Sequence, residues 1–559
     1  MNMEISALER ARLSYEPRLP AILQRGIRKI AVVEAGASRP PADADAIRKD
    51  FPKTCGQPLL RFVEGSGPKE AKPLRVGVVL SGGQAPGGHN VIIGLFDALK
   101  RFHGDARLFG FRGGPKGILT GKYEELGKDV LDRYRNTGGF DLIGSGRDKI
   151  ETPEQQAQCA ETTKKLGLDG LVVIGGDDSN TNAAVIAEHF VANGIPAAVV
   201  GVPKTIDGDM KSEEIEASFG FDTATKLYAE LIGNICRDAK SAGKYWHFVK
   251  LMGRSASHVT LECALQTRPN VALVAEEVQA QNLSLRAIVD RIAEVVRARA
   301  QAGRHYGVVL VPEGLVEFVP EMKTLISELN VILHEDAAYF SSLTTFSDRQ
   351  EFLAKKLTKE SSYVFSYLPA RIQRQLLEDR DAHGNVQVSK IDTEQLLLEQ
   401  VSEQIGEWVS KGQFPGKFQG LHHFLGYEGR CAPPSNFDAD YTYALGQVSA
   451  ALVAFGKTGC MASVRNLVGP RGEWAAGGVP LTSLMRVEKR KGKAVPVVAK
   501  ALVRLDGGPF RAFAEARGLW EREDGYLYPG PIQYFGPPEV SDAVTKTLAL
   551  ERPAAPRIA

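Results

Sequence analysis

The sequence predicts a doubly wound α/β protein, on three observations. From residue 73 onward, short runs rich in Val and Ile alternate with segments of helical periodicity, the pattern of βαβ units on a parallel sheet. Glycine-rich or acidic segments follow those runs, where an open α/β sheet binds ligands at the carboxyl ends of its strands. The 559 residues, 43% hydrophobic and 24% charged, give several domains of ordinary globular composition, at roughly 150 residues per domain.

The first strand is placed at 75–80 (RVGVVL), and Val91, Ile92, Leu95, Phe96 and Leu99 then recur at helical spacing. Strands follow at 107–111, 170–174 (GLVVI), 196–202 (PAAVVGV), 246–251, 271–275 and 306–311 (YGVVLV). Residues 284–302 read as a helix between the last two. Outside the alternating pattern lie 1–72, about 316–420 and about 486–559, which read as extensions and an insertion. The insertion holds an amphipathic helix at 393–409 preceded by the turn signal DAHGN.

Composition excludes several classes of function. Lys and Arg number 69 against 67 Asp and Glu, so the formal charge of +2 gives no overall pull toward nucleic acid or an anionic membrane. The six cysteines form no CxxC pair, which argues against a disulfide framework or a zinc site and fits a reducing compartment. The N-terminal stretch carries acids and lacks an apolar run, unlike a secretory or transit signal, and no stretch approaches the ~18 apolar residues of a membrane span. A cytoplasmic protein is expected.

Three loops carry the chemistry. In SGGQAPGGHN, glycines Gly82, Gly83, Gly87 and Gly88 let backbone N–H groups approach an anion, although an ordinary βα turn uses the same residues. The loop is neither a Walker A motif nor a GxGxxG fingerprint, which argues against a dehydrogenase. In GGDDSNTN, Asp177 and Asp178 follow a buried strand, where a magnesium ion is the natural partner of one carboxylate; the alternative is an Asx turn in which Ser179 or Asn180 caps a helix at 181–192. PKTIDGD sets Lys204, Asp207 and Asp209 in one loop, fitted for in-line phosphoryl transfer with an aspartate as proton acceptor, or else a solvated turn.

Taken with MGR, PEG and GYEGR downstream, these loops resemble the site motifs of the phosphofructokinase family in the family's order, most specifically its pyrophosphate-dependent long-chain branch. The likeness covers about 73–315 and 421–460 and implies two Rossmann-like doubly wound domains, the phosphofructokinase fold, with a largely helical insertion. The expected division is an N-terminal extension (1–72), a phosphoryl-donor domain (73–220 plus 430–485), a fructose 6-phosphate domain (221–315 plus 421–429), the insertion (316–420) and a C-terminal extension (486–559).

By the same resemblance, Asp207 is the proton acceptor for the sugar 1-hydroxyl, Asp177 the Mg²⁺ ligand and Asp209 a supporting acid. Gly82 contacts the donor phosphate, while Thr205 and Ile206 accompany Asp207 at the substrate. Met252, Gly253, Arg254, Glu313, Tyr427, Glu428, Gly429 and Arg430 bind the sugar phosphate. Lys244 and Tyr245 stand where that branch donates a Lys-Tyr pair to the neighbouring subunit's site, which implies a homodimer.

Two positions depart from ATP-using relatives, which read GGDGS and PGTIDND. Asp178 would repel a nucleotide's α-phosphate, and Lys204, which also offsets the acid at 178, would stabilise pyrophosphate's leaving phosphate. The implied reaction is reversible transfer from pyrophosphate to fructose 6-phosphate. An ATP-dependent enzyme and a noncatalytic regulatory subunit are the alternatives, and the latter should have lost the acids at 177, 207 and 209. Arg147 is either a donor contact or a surface ion pair, His422 and His423 are packing or surface residues, and 486–493 is a solvated hairpin or strand edge.

Overall fold

The computed structural model describes residues 5–38, 43–68, 70–380, 385–490 and 493–552. The strands, in chain order, are β1 (Ile30–Ala37), β2 (Pro58–Glu64), β3 (Arg75–Leu80), β4 (Arg107–Phe111), β5 (Tyr123–Glu125), β6 (Gly170–Gly175), β7 (Ala198–Thr205), β8 (Phe219–Gly220), β9 (Trp246–Leu251), β10 (Val271–Ala272), β11 (Gly307–Pro312), β12 (Gly420–Leu425), β13 (Cys460–Arg465), β14 (Ala475–Pro480), β15 (Met485–Arg490) and β16 (Lys493–Val498). The chain divides into two compact units, 1–224 with 427–501 and 532–559, and 225–426 with 502–531.

In the first unit the sheet runs β1-β2-β14-β13-β7-β6-β3-β4-β5, with β8 paired to β7. Its centre, β13 to β4, is parallel, and β3 and β6 are almost wholly buried, as strands covered on both faces must be. The N-terminal extension completes this sheet: β1 and β2 add antiparallel strands beyond β14. One core runs from Ile47 through Val79, Val173 and Val199 to Met485 and Val498, so residues of both terminal segments pack within it.

The second unit holds an all-parallel sheet, β10-β11-β9-β12. The segment 316–420 is helical, from Pro320–Glu335 to Thr393–Ser410, and is part of this unit's core: Leu325, Ile372, Leu396 and Val401 cluster with Trp246, Phe248 and Val309. Lys250 near the end of β9 donates to the Ile391 carbonyl at 3.0 Å and lies 3.3 Å from Glu394, tying strand to insertion. Most of the DAHGN turn signal lies outside the described residues.

Four sequence expectations change. The strand expected over 271–275 ends at Ala272, because the Ser257 hydroxyl accepts the Ala275 N–H at 2.9 Å where helix Ala275–Ala280 begins. The helix expected at 181–192 begins at Asp177, so Ser179 and Asn180 are inside its first turns and Gly176 occupies the N-cap. The strand expected at 196–202 starts at Ala198 and continues to Thr205, because β8 offers Phe219 and Gly220 as partners for Lys204 and Thr205. The C-terminal extension is shared, 486–501 and 532–559 belonging to the first unit and 502–531 to the second. Of the basic run 486–493, residues 486–490 fall on β15 and 493 opens β16, while 491–492 lie outside the described residues.

Candidate active site

Within the first unit, the carboxyl ends of β3, β6 and β7 present the three chemical loops. β3 runs into Ser81, whose hydroxyl accepts a hydrogen bond from Ser179 Oγ at 2.8 Å, joining the first loop to the helix that starts at Asp177. Gly82 follows at φ +85°, and its N–H donates to the Gly146 carbonyl at 2.8 Å. Its N–H is therefore engaged by the protein, and what Gly82 provides is space. A Cβ there would lie 3.2 Å from the Lys204 ammonium, and one on Gly83 would collide with the Arg430 guanidinium. Two cations thus lie against one glycine turn, and Arg430 is held there by donating to the Gln84 carbonyl at 3.2 Å.

Lys204 is not part of a solvated turn. It is the penultimate residue of β7 and only 5% exposed. Burial pushes its ammonium down to about 8, Arg430 and Arg147 push the same way, and the carboxylates of Asp207 and Asp177 oppose them. Arg147, ambiguous in the sequence, therefore acts electrostatically on the buried lysine.

Asp177 and Asp178 occupy the first turn of helix Asp177–Ala192, where the helix dipole favours negative charge. Asn180, wholly buried, fixes this helix end by donating to the carbonyls of Gly175 at 2.6 Å, Gly176 at 2.9 Å and Val202 at 3.3 Å. Asp178 is half-exposed and lies 3.5 Å from Lys149. The acids that act on Lys204 are instead Asp207 and Asp177, so the pairing of 178 with 204 expected from sequence gives way to a pairing with Lys149.

After β7 the chain turns sharply. The Thr205 hydroxyl accepts the Asp207 N–H at 3.0 Å, Ile206 is buried, and Gly208 adopts φ +72°, a left-handed conformation that favours glycine. Asp209 is 6% exposed; burial and the neighbouring Asp207 raise its pKa well above the carboxylate range, against Lys500, which lowers it. Lys500 itself is 3.5 Å from Asp177 and was not anticipated from sequence, since nothing local to it signals chemistry. Among the described residues no three or more His, Cys, Asp or Glu side chains are grouped to hold a metal by themselves. A site of one or two carboxylates completed by phosphate oxygens is the form Mg²⁺ favours, and Asp177 fits it.

In the second unit, β9 and β11 end side by side and deliver MGR and PEG. Buried Glu313 accepts the Gly253 N–H at 3.0 Å, and Gly253 sits at φ +129°. A Cβ on Gly314 would lie 2.0 Å from the Arg254 carbonyl, so the two loops interlock only with glycine there. Met252 is buried, with its N–H on the Leu425 carbonyl at 3.1 Å, and the Arg254 side chain is exposed. Lys244 is exposed, with its ammonium 5.2 Å from the centre of the Tyr245 ring. His423 meets His247 at 3.0 Å and His422 meets Gln395 at 3.1 Å, which accounts for both as structural residues of β9, β12 and the insertion.

Tyr427–Arg430 forms a short 3-10 turn in the first unit. Tyr427 and Glu428 are exposed and Gly429 is buried. Arg430, expected among the sugar-phosphate ligands, lies against the Gly82–Gly83 turn, a placement that the sequence distance of more than three hundred residues from Gly83 conceals.

Comparison with known proteins bears on these loops directly. Residues 75–374 match the phosphofructokinase family model. The chain is 55% identical to a pyrophosphate--fructose 6-phosphate 1-phosphotransferase of Treponema pallidum, over 99% of this chain and 98% of the relative. It is 50% identical to the subunit beta 1 of such an enzyme from Arabidopsis thaliana, over 98% of this chain and 94% of the relative. Among solved structures, a pyrophosphate-dependent phosphofructokinase of Marinobacter aquaeolei matches with a TM-score of 0.52 at 16% identity, covering 81% of this chain and 93% of that one, a likeness of fold. Among the described residues no helix is long and apolar enough to cross a membrane.

Proposed function

The chain belongs to the phosphofructokinase family, and from that premise we propose that it transfers a phosphoryl group reversibly from pyrophosphate to the 1-hydroxyl of D-fructose 6-phosphate. Fructose 1,6-bisphosphate and phosphate are the products. The observation that carries this reading is the buried Lys204 ammonium against the Gly82 turn, with Arg430 beside it and the acids Asp177 and Asp207 acting on it. A glycine turn flanked by two cations fits an inorganic polyanion, and ATP-using relatives carry a glycine in place of one of them, Lys204.

The chemistry follows from these side chains. Asp207 accepts the proton of the sugar 1-hydroxyl as its oxygen attacks the terminal phosphorus; the bridging P–O bond breaks in line, and the departing phosphate takes the electron pair. Lys204 faces the position where that charge develops, and its burial at 5% exposure strengthens the interaction. Thr205 holds the turn that aims Asp207. Asp177 would hold a Mg²⁺ ion, with Asp209 behind it, and the ion would supply neutralisation of phosphate charge. The sugar phosphate is assigned to Met252, Gly253, Arg254, Glu313 and Tyr427–Gly429, and Lys244 with Tyr245 is assigned to the neighbouring subunit's site in a homodimer.

Two experiments test the reading. Purified protein should turn over with pyrophosphate and Mg²⁺ at a kcat/KM at least about a hundredfold above that with ATP; equal use of the two donors would exclude the assignment. Since Lys204 is protonated below its pKa of about 8 and must carry charge to bind the donor, kcat/KM for pyrophosphate should be flat to about pH 8 and fall about tenfold per unit above it. Lys204→Arg, whose guanidinium stays charged, should remove that alkaline decline; a decline that persists unchanged in the variant would assign it to another group.

A further inference from the structure

A buried carboxylate outside the site motifs ties together the loops of the donor site. Asp438, wholly buried, is the third residue of helix Asn436–Ala454. An acid at that position ordinarily serves its own helix end, but Ser435 caps this helix, its hydroxyl accepting the Asp438 N–H at 3.2 Å. The Asp438 oxygens bond elsewhere: Oδ1 accepts the Gly220 N–H at 3.0 Å, and Oδ2 accepts the Thr223 N–H at 2.9 Å together with the Thr223 hydroxyl. The Thr223 hydroxyl in turn accepts the Ser435 N–H at 3.0 Å, and Ser435 Oγ donates to Asp222 Oδ2 at 2.6 Å, so the start of the helix is closed onto residues 220–223. Burial and the neighbouring Asp222 push the Asp438 carboxyl up to about 7, against the hydrogen bonds from Thr223 and Gly220, which lower it. A carboxylate kept this deep beside a second acid needs those donors.

Gly220 is where this grip reaches the chemistry. It pairs with Thr205, and Phe219 with Lys204, in the β7–β8 bridge, and the Ser218 hydroxyl donates to the Thr205 carbonyl at 2.9 Å. Gly220 adopts φ +92°, and a Cβ on it would lie 2.8 Å from the Ala85 Cβ and 3.3 Å from Ile206 Cγ2. One residue thus lies against both the glycine loop that follows β3 and the turn that carries Asp207. The helix also meets the glycine loop directly, one turn beyond Asp438: a Cβ on Gly87 would lie 2.5 Å from Thr442 Cγ2.

We propose that Asp438 is a positioning residue for phosphoryl transfer: by fixing Gly220 and Thr223 it sets the β8 bridge that keeps Lys204 and the Thr205–Asp207 turn in register against the glycine loop. The inference rests on the roles proposed above for Lys204 and Asp207 and extends that reading to a residue that acts only through others. Misplacing reacting groups by about 1 Å costs as much as about a hundredfold in rate, whereas sugar-phosphate binding is assigned to residues outside this network.

The test uses full-length enzyme. Wild-type turnover on pyrophosphate, measured first, examines the donor reading by itself. Asp438→Asn keeps the shape of the side chain but sets an amide N–H against Gly220 or Thr223, so kcat per folded subunit should fall about tenfold or more while the KM for fructose 6-phosphate stays within about twofold. A role in stability alone would lower the melting temperature and leave kcat per folded subunit unchanged. A fall of less than about tenfold in the folded variant would therefore overturn the proposal, whatever its melting temperature. Thr223→Val, which removes one donor at nearly constant shape, serves as the test if the Asn variant is poorly folded. Its kcat should lie about threefold or more below that of Thr223→Ser, which keeps the hydroxyl; a smaller difference would overturn the proposal as well.

Discussion

Replacing Asp207 with serine should lower kcat by roughly 10²–10⁴, the usual contribution of a positioned general base. The KM for fructose 6-phosphate should move less than about threefold, because the change leaves the turn intact. The Asp207 backbone N–H, bonded to the Thr205 hydroxyl at 3.0 Å, survives the substitution, and the left-handed conformation that follows belongs to Gly208. Serine is also small and polar, so it adds no bulk beside the buried Ile206 and Asp209. Loss of turnover with retained sugar-phosphate binding separates a chemical role from a structural one. If the variant keeps kcat within tenfold of wild type, Asp207 is not the proton acceptor, and another group takes the proton of the sugar hydroxyl.

How far the sequence foretells this site depends on how local the determining physics is. β3, β6 and β9 are legible because a strand buried on both faces must be an unbroken apolar run, and RVGVVL, GLVVI and WHFVKL are such runs or nearly so. The motif loops are legible because glycines and acids at strand ends have few other uses. What was illegible depends on partners remote in the chain. Lys204 reads as a loop residue until β8, some fifteen residues on, supplies the bridge that keeps it in a strand. The start of helix Asp177–Ala192 is misread because Asn180 resembles an N-cap, while its side chain in fact reaches back to three carbonyls, one of them on β7. Arg430 and Lys500 arrive at the Gly82–Gly83 turn and at Asp177 from far downstream, and no periodicity reports a contact across such a distance. The insertion reads as an appendage because its helices are amphipathic by themselves, yet Lys250 and the shared core make it part of the second unit.

Donor choice is the second large effect, and it turns on Asp178. Two unit charges 4 Å apart interact with about 4 kcal/mol at an effective dielectric of 20. Asp178, however, is half-exposed and paired with Lys149 at 3.5 Å, so its repulsion of a nucleotide's inner phosphate is screened and partly neutralised. Taking a third to a half of the unscreened figure leaves roughly 1.3–2 kcal/mol, which is about ten- to thirtyfold in affinity. Asp178→Gly should therefore raise kcat/KM for ATP by about that factor while lowering it for pyrophosphate no more than a few-fold, since Lys204 still meets the leaving phosphate. Lys149 supplies a control of opposite sign: Lys149→Ala strips the counter-charge from Asp178 and should depress any residual ATP use further, by about two- to threefold, with the larger effect at low salt. Both variants are read by initial rates with each donor at fixed fructose 6-phosphate. ATP use unchanged within twofold in Asp178→Gly would mean that space, not charge, excludes the nucleotide. The excluding feature would then be the Lys204 and Arg430 side chains pressed against Gly82 and Gly83, and Lys204→Gly, which opens that turn, would be the substitution that admits ATP.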